Sequence, residues 1–123
     1  MRALVIDDSR TVRLLIGNIL RELGMTVLEA ADGRQALEQL RECPDVELIL
    51  VDWNMPVMNG LDFIRAVRSE RGRDAVRIMM VTTETESEQV VRALDAGADE
   101  YVMKPFTRDV LVAKLSLLDV LES

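Results

Sequence analysis

The stretch Leu48-Ile49-Leu50-Val51-Asp52-Trp53-Asn54-Met55-Pro56 decides the fold. Four consecutive apolar residues with no polar position between them have the pattern of a strand buried on both faces of a parallel sheet. The run stops on a carboxylate. The irregular segment that follows, Trp53 to Gly60, carries Pro56 and the Asn59-Gly60 pair, both turn signals. Outward from this third and central strand, the same motif of a short apolar run recurs as Ala3-Leu4-Val5-Ile6, a weaker Met25 to Leu28, Ile78-Met79-Met80-Val81 and Tyr101-Val102-Met103.

Amphipathic stretches separate these runs. Val12, Leu15, Ile16, Ile19 and Leu23 repeat at helical spacing behind a cap at Ser9 or Asp8, and Gly24 stands where a helix end wants a left-handed residue. Asp32-Gly33 turns into a short helix bearing Ala36, Leu37 and Leu40, with Pro44 beyond its end. A third helix from about Leu61 to Glu70 buries Phe63, Ile64 and Val67, and the polar Arg71-Gly72-Arg73-Asp74 reads as a turn. Ser87 to Ala96 is the fourth helix, closed by Gly97; Thr107 caps a fifth that runs towards Leu121. Five βα units predict an α/β, doubly wound parallel sheet with helices on both faces, in a single domain over residues 1–123.

Composition excludes several functions. The 123 residues are 49% hydrophobic and 30% charged, which is globular and not disordered. Twenty-two acids against fifteen bases leave a net charge of −7, so a broad basic surface for nucleic acid or an anionic membrane is not expected. There is no His and one Cys, Cys43, which rules out Cys/His zinc clusters, Ser-His-Asp triads, Cys-His nucleophiles and an internal disulfide. No run approaches the ~18 apolar residues of a membrane span, and Asp7-Asp8 interrupts the N-terminal apolar run at once, against a signal peptide. The chain reads as a soluble cytoplasmic domain.

What stands at the end of each run carries the functional reading. The first strand ends in Asp7-Asp8, the third in Asp52, the fourth in Thr82-Thr83 and the fifth in Lys104. Singly these have ordinary explanations: helix caps, turn chemistry, a solvated charge. Together they fall on the carboxyl edge of a parallel sheet, where open α/β folds place ligands. Three crowded carboxylates repel unless a cation joins them, and oxygen ligands without imidazole or thiolate select Mg2+ or a similar hard ion. A Lys and a Thr hydroxyl across from the ion suit phosphate oxygens. The remaining reactive group is a carboxylate, and Asp52 is the best candidate for a covalent aspartyl phosphate.

These residues resemble the receiver domains of two-component response regulators. The matching pieces are Asp7-Asp8, Val51 to Pro56, Gly60, Val81-Thr82 and Lys104-Pro105-Phe106, and they span essentially the whole chain. Within that family the Trp53-Asn54-Met55-Pro56 loop and a Tyr ahead of Lys-Pro are most similar to the free-standing chemotaxis regulators. The resemblance implies a strand order of 2-1-3-4-5 and a phosphoacceptor, not an enzyme turning over a substrate pool, with Mg2+-dependent self-phosphorylation and autodephosphorylation. Asp52 would receive a phosphoryl group from a sensor histidine kinase, a phosphotransfer protein or a small phosphodonor. Asp7, Asp8, Asp52 and the Asn54 main-chain carbonyl would hold Mg2+, with Mn2+ as a substitute. Lys104, aimed by a cis Lys104-Pro105 bond, and the Thr82 hydroxyl would take phosphoryl oxygens. Thr82 and Tyr101 would form the switch, read by a downstream effector on the face of the fourth helix, fifth strand and fifth helix. Asn54 and Glu84 stand at the two lifetime-tuning positions and match the fast-dephosphorylating pattern.

Other features stay open at this level. Thr83 stands where the family favours a small residue, which bears on access to Asp52. In the last helix Leu111, Leu115 and Leu118 make a core stripe, and Val110, Val112, Leu117, Val120 and Leu121 add apolar residues off it. Those read either as a wider buried face or as a surface for a partner or a weak homodimer. Rival identities fare worse. An aspartate-based Mg2+ phosphatase puts Asp-x-Asp on its first strand, unlike Asp7-Asp8-Ser9. A flavin module of this fold needs a Gly- or Ser/Thr-rich phosphate loop where Ser9-Arg10-Thr11 stands. The receiver portion of a larger regulator, its output domain removed, is the narrower alternative.

Overall fold

The computed structural model describes residues 1–70, 75–83 and 87–118. The Arg71–Asp74 turn, Glu84, Val120 and Leu121 lie outside the described residues. Strands and helices alternate: β1 (Arg2–Ile6), α1 (Arg10–Glu22), β2 (Thr26–Ala30), α2 (Gly33–Glu42), β3 (Val46–Asp52), α3 (Gly60–Ser69), β4 (Arg77–Thr83), α4 (Ser87–Ala96), β5 (Glu100–Lys104) and α5 (Arg108–Ser116). The five strands form one parallel sheet in the order β2-β1-β3-β4-β5.

Successive strand residues point to opposite faces, so the continuous apolar runs feed two cores. Leu4, Ile6, Ile49, Val51, Ile78 and Met80 pack beneath α2, α3 and α4, around Phe63, Ile64 and Val67. Ala3, Val5, Leu48, Leu50, Met79 and Val81 pack beneath α1 and α5, against Ile16, Leu20, Leu111 and Leu115. No described helix is long and apolar enough to cross a membrane.

Helix starts follow from local chemistry. Ser9, Asp32, Asn59 and Thr107 each accept a backbone N–H three residues on, satisfying one of the donors that open a helix. Gly24 closes the first unit at φ +90, a conformation costly for any residue with a Cβ.

Several details differ from the sequence expectation. The second strand runs Thr26–Ala30 instead of Met25–Leu28; on the sheet edge its burial is too partial to leave a clear apolar pattern. The first strand stops at Ile6, one residue short of Asp7, whereas Asp52, Thr82-Thr83 and Lys104 end their strands as expected. In α1, Leu15 is 52% exposed and Leu20 fully buried, so the helix is rotated from the expected stripe. The last α-helix ends at Ser116, where Leu117 and Leu118 bond back three residues instead of four. Of its apolar residues, Leu111, Leu115 and Leu118 are buried, while Val110 and Leu117 are exposed. Of the methionines, Met25, Met79 and Met80 are buried and Met1 and Met103 are exposed.

Candidate functional site

In this strand order β1 and β3 are neighbours, and the crossovers from their carboxyl ends leave in opposite directions, from β1 to β2 and from β3 to β4. Ile6 pairs with Val51, Asp52 with Val81 and Thr83 with Lys104, so register alone brings Asp7, Asp8, Asp52, Thr82 and Lys104 to one edge. Asp7, Asp8 and Asp52 each offer a carboxylate oxygen within 4.8 Å of the others. Asp7 and Asp52 are buried and Asp8 is exposed.

Asp7 is held on every side. One carboxylate oxygen accepts the Ser9 N–H at 2.8 Å and the other accepts Lys104 Nζ at 2.8 Å. Its backbone N–H donates to Ala30, and its carbonyl accepts Arg13 at 2.6 Å. Arg13 in turn pairs with Glu29 on β2, fixing α1 against the strand end. Lys104 Nζ is 3.6 Å from Asp52 Oδ1, so the ammonium bridges the two buried carboxylates while sitting closer to Asp7. The Lys104–Pro105 peptide is cis.

Burial and the neighbouring Asp7 charge push the Asp52 carboxyl up from 3.8 to about 6, against the opposing pull of Lys104 and the Asn54 N–H. One ammonium among three carboxylates leaves excess negative charge in a half-dry pocket. The donors are all hard oxygens. That set fits a divalent cation of the Mg2+ type, with Asp8 open to solvent on its entry side.

The loop after Asp52 is tied to the sheet by Trp53 N–H to Val81 and Gly60 N–H to the Trp53 carbonyl. Gly60 is required by close approach, since a Cβ there would lie 2.6 Å from the Asp52 carbonyl oxygen. Trp53 is half-buried against the α2–α3–α4 core, and Asn54 is exposed.

Thr82 is buried, but its hydroxyl contacts the Thr83 carbonyl and Gln89 Oε1 of α4, both at 3.4 Å. Gln89 and Arg13 are site neighbours the sequence reading did not single out; nothing in their local spacing marks them, because each arrives from a helix packed across a strand end. Thr83 is exposed and lines an apolar groove of about 380 Å3 with Val12, Leu15, Lys104, Pro105 and Phe106. Tyr101 is half-buried on the edge strand, in register with Met80.

Residues 3–116 match the family described as the response regulator receiver domain. The chain is 45% identical over 119 residues to the chemotaxis protein CheY1 of Helicobacter pylori, covering 96% of each. It is 47% identical over 116 residues to a chemotaxis protein CheY homolog of Campylobacter jejuni, covering 94% of this chain and 89% of the relative. The crystallised chemotaxis protein CheY4 of Vibrio cholerae superimposes with a TM-score of 0.89 at 35% identity, covering 95% of this chain and 97% of that one.

Proposed function

The chain belongs to the response regulator receiver domain family, a signalling switch of two-component systems similar to the CheY chemotaxis proteins, and we propose that Asp52 is its phosphoacceptor. The observation that carries this is the Asp52 carboxylate itself: buried at the end of a central strand, within 4.8 Å of two further carboxylates and 3.6 Å from one ammonium.

With a carboxyl near 6, Asp52 is mostly ionised at neutral pH and able to attack. One of its oxygens bonds to phosphorus as the P–N bond of a phosphohistidine, on a sensor kinase or phosphotransfer protein, breaks. The bonding pair returns to the imidazole, which takes up a proton. A small acyl phosphate reacts in the same way, losing a carboxylate. Asp7, Asp8, Asp52 and the Asn54 carbonyl would hold Mg2+, whose charge offsets that of the phosphoryl oxygens. Lys104 supplies a second positive charge from the opposite side, and the Asn54 N–H already faces Asp52.

Transfer adds about −1.5 to −2 charges and three acceptor oxygens beside Lys104 and Thr82. A hydroxyl has one proton to donate, so Thr82 turning to a phosphoryl oxygen gives up its contact to Gln89 on α4. Through this exchange, and through Tyr101, the α4–β5–α5 face would change for a downstream effector.

Incubation with acetyl phosphate and Mg2+ followed by intact-mass measurement tests the assignment. One labile phosphoryl adduct is expected, absent in Asp52→Asn and absent without a divalent ion. An equal adduct on Asp52→Asn refutes it.

A further inference from the structure

The chain has two lysines, and the second, Lys114 on α5, is also placed by chemistry. Its ammonium reaches round the open β5 edge of the sheet and lies 4.1 Å from the centre of the Tyr101 ring. It also bonds Glu100 Oε1 at 3.3 Å, and the same oxygen accepts the Tyr101 N–H at 2.9 Å. Lys114 and Glu100 are both largely covered, at 26% and 18% side-chain exposure. Desolvation strengthens the attraction of a cation to a ring face.

We propose that Lys114 is a positioning residue for Tyr101: with Glu100 it clamps the ring in one orientation at the sheet edge and so ties that orientation to α5. This rests on the reading of Tyr101 as part of the switch. β5 has no strand beyond it, so no neighbouring strand holds the ring from that side. Glu100 sets the geometry by pinning the backbone of Tyr101 and the ammonium with one oxygen. A residue binding only through its length would serve as well without its charge; this clamp requires the cation.

Tyr101 is the only tyrosine in the chain, so its ring gives one set of resonances. Side-chain coupling constants and ring shifts of Tyr101 should be measured in the wild type, Lys114→Met and Lys114→Arg, with and without Mg2+ and beryllofluoride as phosphoryl mimic. Lys114→Met keeps the aliphatic length and removes the charge. It is expected to lower the population ratio of the clamped rotamer to its alternatives about two- to fivefold, and Lys114→Arg to restore it. By linkage the beryllofluoride affinity then shifts by at most the same factor. It tightens if beryllofluoride draws the wild-type ring out of the clamped orientation and loosens if it draws the ring in. Unchanged Tyr101 couplings in folded Lys114→Met overturn the clamp. Tyr101 signals in the wild type that ignore beryllofluoride overturn instead the reading of Tyr101 as a switch.

Discussion

Asp52 has a carboxyl near 6 because it is buried beside Asp7, and this has a consequence for stability. The folded protein holds the Asp52 proton more tightly than the unfolded chain, whose aspartates titrate near 4. The extra stability of the protonated form is therefore fully present below the unfolded value and is lost as pH rises through about 6. In divalent-free buffer, wild type is expected to lose on the order of 2 kcal/mol relative to Asp52→Asn between pH 4 and pH 7. Parallel thermal or urea melts of the two proteins across that range check it, since all other groups titrate in both. A constant difference would mean that the carboxylate is solvated. Asp52, Asp7 and Lys104 were legible as strand-end residues from their position after apolar runs. That Lys104 sits closer to Asp7 than to Asp52 was not, because β5 lies nearer to β3 than to β1 in the sheet and strand order alone would favour Asp52.

Among the elements, the loop from Trp53 to Asn59 carries the one positive φ outside glycine among the described residues, Val57 at +69. The Met58 N–H donates to the Pro56 carbonyl at 2.7 Å, closing a γ-turn of the rare, strained hand around a β-branched residue. The Val57 side chain is 77% exposed and contributes little packing in return. Val57→Asn is expected to stabilise the domain by about 1 kcal/mol, because Asn tolerates the left-handed region. A denaturant midpoint that rises at unchanged m would establish this; an unchanged or lower midpoint would show the loop to be unstrained. Pro56 and Asn59-Gly60 announced an irregular loop, but no local rule places a Val at positive φ. The helices divide similarly. Thr107 was readable as a cap and Ser9 as one of two candidates, Asp32 and Asn59 only as turn residues, whereas the rotation of α1 that exposes Leu15 and buries Leu20 depends on how the helix sits on β1 and β2.

Across the whole molecule, the sheet separates two cores that share no side chain. Ile64 lies on the α2–α3–α4 side and Leu111 on the α1–α5 side, both fully buried. Ile64→Val is expected to cost about 0.5–1.5 kcal/mol and Leu111→Ala about 2–5 kcal/mol. Because they touch different clusters, the double variant should lose the sum to within about 0.5 kcal/mol, in one cooperative transition. Chemical denaturation of the four proteins decides it; a larger coupling would mean that the sheet transmits strain between its faces. The same two-sided burial made the architecture legible, since strands covered on both faces must read as continuous apolar runs.

By itself the sequence determined the alternation of strand and helix, the caps, and the identity of the groups at each strand end, because apolar period, turn residues and side-chain chemistry act over a few neighbouring positions. Only the tertiary structure decided who touches whom: Lys104 on Asp7, the Thr82 hydroxyl on Gln89, Gly60 against the Asp52 backbone, Lys114 over Tyr101. Those contacts join residues from elements that meet only once strand order and helix rotation are set, and a difference of one ångström there settles which of several charged neighbours a side chain chooses.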